Sequence, residues 1–233
     1  MSYIKKYVIN LKRREDRLKK FMDICPYKDV IPFYAFDGKF IDTNEKGMDF
    51  LEIFNKTQHK LMHGEVGCYI SHLLLWRMLV ESNDELMMIF EDDAIFNEKF
   101  LLYMSEIERE LPIIINKGIL YIGGGFVPNY RIQYNGMYVT DNIYEHDYSK
   151  PVFTYTDFER TTHAYIITRQ CAHALLSVFL RGSKHYIPVD NWMVRVFKSL
   201  KINVFSTNPL LCHSPRVGDS DIRNVPIITQ NNV

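Results

Sequence analysis

Three consecutive acidic residues stand between two apolar runs in the segment MIFEDDAIF, residues 88–96. The run before them predicts a buried strand, so Glu91, Asp92 and Asp93 fall where that strand ends. Strand alternation directs the side chains of Glu91 and Asp93 to one side and that of Asp92 to the other. Clustered carboxylates repel one another unless a positive charge lies among them. A hard divalent cation, Mg²⁺ or Mn²⁺, is the simplest such partner, and it commonly binds together with substrate phosphates.

A second interpretation of these acids needs no ligand. A helix is predicted to begin at about Asn97, and acidic residues stabilise the first turn of a helix. Asp92 could have that role alone, whereas the three acids together are better explained by a binding site.

The elements that must position the acids alternate between strand and helix. This alternation predicts an α/β fold with a central, mostly parallel sheet flanked by helices. In such sheets ligands bind beyond the carboxyl ends of the strands, which is where the acids fall. Strands are predicted at 7–11, 30–38, 86–91, 118–125 and 163–168, and helices at 13–24, 65–81, 97–111, 169–180 and 189–200.

One stretch departs from the alternation. Residues from about 126 to 160 are polar and rich in tyrosine, and they have no clear period. We predict a loop or hairpin insertion there, over one edge of the site, within a single domain that spans residues 1–233.

The composition excludes some classes of protein. The 233 residues suffice for one well-buried core, and 47% hydrophobic with 24% charged residues excludes wholesale disorder. Lys plus Arg and Asp plus Glu both total 28, so no net charge attracts nucleic acid or an anionic membrane. Cys25, Cys68, Cys171 and Cys212 are scattered without metal-ligand spacing, and we predict that they are buried thiols.

The first residues, MSYIKKYVINL, become charged early and lack the apolar block of a signal peptide. No uncharged run approaches the ~20 residues that are needed to cross a bilayer. We therefore predict no transmembrane segment and a cytoplasmic location.

Seven segments, in order along the chain, carry a resemblance to known proteins. They are YVINLKRREDRLKKF, FYAFDGK, HGEVGCYISHLLLW, MIFEDDAIF, AYIIT, IPVDNWM and PLLCHSPRVGDSDI. Together they resemble glycosyltransferase family 25, which contains lipopolysaccharide galactosyltransferases and procollagen galactosyltransferases.

The resemblance implies a GT-A-like nucleotide-sugar-binding fold, a divalent metal (Mn²⁺ or Mg²⁺) and inversion at the anomeric carbon. The donor would be a UDP-sugar, a UDP-hexose with galactose as the expected sugar. The acceptor would be a hydroxyl of a glycan or of hydroxylysine in a collagen-like protein. The acidic triplet would have the DxD role, with Asp93 on the metal that binds the diphosphate and Glu91 on the metal or the ribose. A departing nucleoside diphosphate needs its growing charge stabilised, and a metal does so as a Lewis acid.

The match INLKRREDR implies that Asn10 lies near the uridine and Arg14 near the phosphates. For Arg17, ion pairs at an exposed helix start are the favoured interpretation. Asp37 of the Asp-Gly pair would accept a hydrogen bond from the uracil imide or from a ribose hydroxyl, or it would only form a turn. Both interpretations of Asp37 remain open.

The match GEVGCYISH implies that Gly64 and Gly67 let the backbone approach phosphate at a helix start. Glu65 would face the donor or would only belong to the first helical turn. For Ser71 and His72, which lie one to two turns further on, structural hydrogen bonding is favoured over catalysis.

Asp190, in IPVDNWM, is either the N-cap of a helix or a catalytic base. The resemblance favours the base, because an inverting transfer needs a group that deprotonates the acceptor hydroxyl. Asn191 stands where the procollagen branch usually has Glu, a difference that bears on the acceptor rather than on the base. Near the C-terminus, His213 would complete the metal shell or lie on the surface. Asp221, with Ser220, would line the acceptor side.

Two other functions were compared with this one. A metal-dependent phosphodiesterase would need more carboxylates and histidines close in sequence and a basic groove, which the sequence lacks. A non-catalytic nucleotide-sugar-binding protein agrees less well with the presence of Glu91, Asp93 and Asp190 together.

Overall fold

The computed structural model describes residues 4–57, 59–114, 118–125, 136–140, 143–146, 161–182, 186–214 and 221. Its strands are β1 (Lys5–Asn10), β2 (Val30–Tyr34), β3 (Leu86–Glu91), β4 (Ile95–Phe96), β5 (Ile119–Tyr121), β6 (Gly123–Gly125), β7 (Gly136–Tyr138), β8 (Ile143–His146), β9 (Ala164–Thr168), β10 (Val204–Thr207) and β11 (Cys212–Ser214). Its helices are α1 (Glu15–Ile24), α2 (Met48–Asn55), α3 (His63–Glu81), α4 (Phe100–Ile114), α5 (Arg169–Leu180) and α6 (Val189–Leu200).

The main sheet contains eight strands in the order β2-β1-β3-β9-β5-β10-β8-β7. β1 is parallel to β2 and β3, and β5 is parallel to β10, whereas β9 is antiparallel to both of its neighbours. The predicted α/β class is confirmed, but the sheet is mixed because β9 and β8 run against the other strands. The reversal of β9 places the residues before it beside the end of β3, where the amide of Glu91 donates to the carbonyl of His163 at 2.9 Å.

Helices cover both faces of this sheet. Met87 and Ile89 of β3 belong to a core that α2, α3, α5 and α6 cover, and Met88 and Phe90 belong to a second core under α1 and α4. The run before the acids is apolar throughout because each of its residues enters one of these two cores. Helix α3 is apolar on most sides, because it packs against α2, α5 and α6 as well as the sheet.

A smaller sheet, β4-β11-β6, begins directly after the acids. β4 pairs with β11, and α4 begins only at Phe100. The interpretation of Asp92 as an acid at a helix start is therefore wrong, because a paired strand separates it from the helix.

Other sequence predictions have mixed outcomes. Within the insertion predicted at about 126–160, β7 and β8 extend the main sheet at the edge opposite β2. The rest of that segment lies outside the described residues, so its position over the site stays a prediction. Cys25, Cys171 and Cys212 are buried free thiols as predicted, whereas Cys68 is half-buried. Across the described ranges, no helix has both the length and the apolar character that a membrane span requires.

Candidate functional site

A cavity opens at the carboxyl ends of β1, β2 and β3, and the first turns of α3 form another of its walls. This is the position at which open α/β sheets bind ligands. The residues that line it are Ile9, Leu11, Arg13, Arg17, Ala35, Phe36, Asp37, Gly38, Lys39, Gly64, Gly67, Cys68, Ser71, Glu91, Asp92, Asp93 and Asp221.

Two glycines bring α3 against the loop that follows β2. A Cβ atom on Gly38 would lie 1.8 Å from the carbonyl oxygen of His63, and one on Gly67 would lie 2.7 Å from that of Phe36. Ser71 Oγ donates to the Gly67 carbonyl at 2.7 Å and accepts from the Phe36 amide at 2.9 Å. The structural role predicted for Ser71 is confirmed, and the close approach of Gly67 is to this loop.

Glu91 lies at the end of β3 and faces the cavity. Its Oε1 accepts a hydrogen bond from Thr162 Oγ1 at 2.6 Å and lies 3.3 Å from His72 Nε2. Burial alone would raise the pKa of Glu91, but these hydrogen bonds and the neighbouring histidines hold it below its ordinary value. The lowered pKa favours the ionised form of Glu91.

Asp92 lies just after the end of β3 and lines the same cavity as Glu91 and Asp93, so the predicted separation of Asp92 from the other two acids is not seen. Asp92 Oδ2 accepts from Asn10 Nδ2 at 2.6 Å, and its other oxygen forms an ion pair with Arg17. Burial raises the pKa of Asp92 to about 6, although the charge of Arg17 opposes the shift. The exposed position predicted for Arg17 is wrong, because this guanidinium packs inward onto the acids and is only 18% exposed.

Asp93 has one oxygen satisfied and one oxygen without a donor. Ser214 Oγ of β11 donates to Oδ2 at 2.8 Å, while Oδ1 is buried and has no hydrogen-bond partner among the described residues. Burial and the charge of Glu91 raise the pKa of Asp93. A cation between Asp93 and Glu91 would satisfy the buried oxygen and remove the repulsion, so this pair suits Mn²⁺ or Mg²⁺.

Besides His72, His163 interacts electrostatically with both of these acids, and His213 lies on β11 next to Ser214. His213 is half-buried on β11, where it is paired in register with Ile95 and Gly124. The pKa of His163 is lowered by burial, while the charges of Glu91 and Asp93 and the Cys212 backbone oppose that shift. The Nε2 atom of His163 is buried and makes no hydrogen bond within the described part of the chain.

Arginines from the first turn after β1 gather around Asp221. Arg13 Nη1 donates to one oxygen of Asp221 at 2.7 Å, and Arg14 Nη1 donates to the other at 2.6 Å. Arg17 Nη1 lies 3.8 Å from the same carboxylate. Arg13 also donates from Nε to Asp37 at 2.7 Å. Each of these arginines is thus paired with carboxylates, and Arg13 and Arg17 line the cavity, where guanidinium groups could also meet an anionic ligand.

The remaining residues predicted near the donor divide into two groups. Asp37 and Gly64 line the cavity. Asp37 closes a turn by accepting from the amides of Lys39 and Phe40, so the turn is confirmed, while its contact with uracil or ribose stays a prediction. Asn10 is buried, and its side-chain amide donates to Asp92 and to the Arg14 carbonyl. Arg14 binds Asp16 and Asp221, and neither it nor Asn10 is among the lining residues. Ser220 lies outside the described residues.

Glu65 and Asp190 lie close enough to interact electrically with each other. Glu65 Oε2 accepts from the Met62 amide at 2.8 Å, a capping contact at the start of α3. Asp190 is not the N-cap of α6, because Pro188 holds that position and Asp190 lies in the first turn. Burial, and less strongly the charges of Glu91 and Glu65, raise the pKa of Asp190.

Several site residues escaped sequence reasoning. Arg13 and Arg14 are adjacent in one basic run, so the sequence alone does not indicate which of them lines the cavity. Thr162 and His163 precede a predicted strand, but only the antiparallel register of β9 brings them to Glu91. Ser214 likewise reaches Asp93 only through the pairing of β11 with β4.

The fold and the site define an α/β protein with a cavity at an acidic strand end. The sequence profile described as "Glycosyltransferase family 25 (LPS biosynthesis protein)" matches residues 3–193. The chain therefore belongs to glycosyltransferase family 25.

Two relatives are similar over most of this chain. Procollagen galactosyltransferase 1-B of Xenopus laevis is 26% identical over 217 residues, which cover 89% of this chain and 33% of that protein. A glycosyltransferase 25 family member of Drosophila melanogaster is 25% identical over 228 residues, which cover 89% and 35%. The chain thus spans about a third of the length of these relatives. The solved structure of mannose-6-phosphate isomerase from Helicobacter pylori gives a TM-score of 0.35 at 10% identity over 88% of this chain and 85% of that one, too low to carry an argument.

Proposed function

We propose that the protein is a metal-dependent inverting glycosyltransferase with a GT-A-like fold, which moves a hexose from a UDP-sugar to an acceptor hydroxyl. The observation that carries the proposal is the pair Glu91 and Asp93 at a strand end, beside a cavity, with a buried carboxylate oxygen that no described donor satisfies. Membership of the family supports glycosyl transfer, and the names of the relatives support galactose as the sugar.

Asp93 and Glu91 would hold Mn²⁺ or Mg²⁺, which when bound would stabilise the charge of the departing diphosphate. Carboxylate oxygens are the ligands that these hard cations prefer. His213 was predicted from the resemblance as a further ligand. The buried Nε2 atom of His163, which has no hydrogen-bond partner among the described residues, favours His163 over His213 for that role.

The donor would lie along the cavity wall formed by the ends of β1 and β2. Arg13 and Arg17 would face the diphosphate, with Arg14 supporting them from outside through Asp221. Asp37 and Gly64 would lie on the nucleoside side of the cavity. Asn10 would act on the donor indirectly, by fixing Asp92.

Asp190 would be the base, while Glu65 would hold the start of α3. In the transfer, the acceptor oxygen forms a bond to the anomeric carbon as the bond from that carbon to the diphosphate oxygen breaks. The acceptor proton passes to Asp190, and the electron pair leaves with UDP. The raised pKa makes Asp190 a stronger base than an ordinary carboxylate, which suits proton uptake.

The acceptor would be a hydroxyl of a glycan or of hydroxylysine in a collagen-like protein. The first class is supported by the description of the family as lipopolysaccharide biosynthesis proteins, and the second by the procollagen galactosyltransferase relatives. The cytoplasmic location stays a prediction.

The proposal is tested by incubating the protein with Mn²⁺ and a panel of UDP-sugars, and by measuring UDP release with and without glycan and hydroxylysine acceptors. We expect acceptor-dependent release, greatest with UDP-galactose, that is abolished in Asp93→Asn. Release with none of the UDP-sugars would contradict the proposal. Metal-dependent cleavage of a simple phosphodiester would instead favour a phosphodiesterase.

A further inference from the structure

A chain of four side chains runs from the core to the cavity and ends on Glu91. Trp76 Nε1 donates to Tyr165 Oη at 3.0 Å, and Tyr165 Oη lies 2.8 Å from His72 Nδ1. The other ring nitrogen, His72 Nε2, lies 3.3 Å from Glu91 Oε1. Trp76, Tyr165 and His72 are fully buried, so water does not compete for these contacts.

The chemistry of the groups fixes the direction of the last hydrogen bond. An indole N–H can only donate, so the oxygen of Tyr165 accepts from Trp76, and its own O–H can donate to His72 Nδ1, the one other described partner within reach. A neutral imidazole that accepts at Nδ1 carries its proton on Nε2. Nε2 also faces the carboxylate of Glu91, which can only accept when ionised. The contacts of both ring nitrogens therefore make His72 Nε2–H the donor to Glu91 Oε1.

Two donors consequently converge on the same oxygen of Glu91. Thr162 Oγ1 donates to Oε1 at 2.6 Å from the segment before β9, and His72 donates from α3. These contacts come from two different elements, so they fix the orientation of the carboxylate plane as well as its position.

We propose that His72 is a positioning residue for cation binding: with Thr162 it occupies Glu91 Oε1, so that Oε2 is the oxygen presented to the divalent cation. This role rests on the proposed function, because it assigns Glu91 to the metal. Outer partners that hydrogen-bond metal ligands orient them, and their loss typically weakens metal binding about 10- to 100-fold.

A different role for the same residues must be separated from this one. Cys68, His72 and Glu91 offer ligand atoms that all lie within 4.8 Å of one another. Thiolate, imidazole and carboxylate together suit Zn²⁺, but His72 could bind it through Nε2 only after losing the proton that it donates to Glu91.

The test uses two substitutions of His72, each of which retains the hydrogen bond of only one ring nitrogen. His72→Gln places an amide near the position of Nε2, so it retains a donor to Glu91. His72→Asn places its amide near Nδ1, so it retains a partner for Tyr165 but cannot reach Glu91. Both put an uncharged amide in the same buried site, and thermal unfolding of each variant checks that the fold survives.

The measurement is Mn²⁺ binding in the presence of UDP, followed by the electron paramagnetic resonance signal of free Mn²⁺. We expect His72→Asn to bind Mn²⁺ about 10- to 100-fold more weakly than the wild type, and His72→Gln to remain close to it. Thr162→Val removes the other donor to Oε1 and should weaken binding in the same direction, which keeps the test decisive if His72→Asn does not fold.

Several results would overturn the inference. Wild-type affinity in both His72→Asn and Thr162→Val, or equal losses in His72→Asn and His72→Gln, would show that His72 is only a packing residue. Tight Zn²⁺ binding that Cys68→Ser abolishes would make His72 a ligand instead. If the wild-type protein binds no Mn²⁺ with UDP, the proposed function fails and this inference fails with it.

Discussion

At the scale of single residues, the acids of the site differ because their surroundings differ. Hydrogen bonds keep the pKa of Glu91 low despite its burial, whereas burial raises the pKa of Asp93 and Asp190. The charge of Glu91 contributes to the raised pKa of Asp93, and a cation bound between the two acids would offset that contribution. For Asp190, a raised pKa suits a group that must take up a proton. The contrast between Glu91 and Asp190 is therefore the basis for assigning them different roles.

We predict that Asp190→Asn lowers acceptor-dependent turnover by roughly 10²- to 10⁴-fold, because Asn cannot take the acceptor proton. The raised pKa means that the ionised carboxylate is disfavoured in the folded protein, so Asn should not lower stability. UDP release and thermal unfolding check the two halves of the prediction. Arg195→Ala, an exposed position on the same helix, is the control and should keep its turnover. A fully active Asp190→Asn protein would end the assignment of Asp190 as base.

At the scale of elements, the site depends on how closely α3 approaches the end of β2. Gly38→Ala would force a Cβ against the His63 carbonyl, which cannot move without shifting the start of α3. We expect this substitution to cost at least ~3 kcal/mol of unfolding free energy, the upper end of ordinary overpacking. It should also weaken UDP binding, because Gly38 and Gly64 lie on the cavity wall.

The control for that prediction is Gly182→Ala. An added Cβ there meets no atom of the described residues within 4 Å, but the residue has a φ of +80°. Gly182→Ala should lower the free energy of unfolding by only ~1–2 kcal/mol, the cost of a left-handed backbone for a residue with a Cβ. It should keep UDP binding. Denaturant unfolding and calorimetry measure both effects, and a Gly38→Ala protein as stable as Gly182→Ala would contradict the account of this contact.

The elements also show what the sequence could and could not predict. β3, α5 and α6 have the predicted bounds, because long apolar runs and clear helical periods mark them. Short strands such as β4, β6 and β11 have two or three residues and show no period, so their pairing was not foreseen. The antiparallel insertion of β9 is a property of the whole sheet, and Thr162 and His163 therefore could not be assigned to the site beforehand.

At the scale of the whole molecule, the site joins parts of the chain that are far apart in sequence. Asp221 contacts Arg13 and Arg14, which are 208 and 207 positions away. Burial would raise the pKa of Asp221, but the hydrogen bonds and charges of these two arginines hold it below its ordinary value. The contact therefore depends on an ionised carboxylate.

We predict that the contact of Asp221 with the two arginines stabilises the fold above pH ~4, and that this stabilisation is lost in acid as the carboxylate is protonated. A carboxyl group whose pKa is depressed in the folded state adds stability above its unfolded pKa of ~3.9, and that stability is lost as the pH falls through the folded value. Asp221→Asn should therefore lower the Tm by a constant amount at pH 5 to 7 and by less below pH ~4. Asp42→Asn, at an exposed carboxyl, should show no such change. A Tm difference that persists unchanged in acid would contradict the prediction.

The central claim is that Asp93 and Glu91 hold a divalent cation on which donor binding depends. Calorimetric titration of UDP into the protein, once with Mn²⁺ and once with EDTA, tests it most directly, with Asp93→Asn as the matched variant. We predict that EDTA weakens UDP binding to the wild type by more than the ~10- to 100-fold typical of an outer-shell change. Asp93→Asn should bind weakly in both conditions, because its cation ligand is missing. Equal UDP affinity of the wild type with Mn²⁺ and with EDTA would contradict the claim.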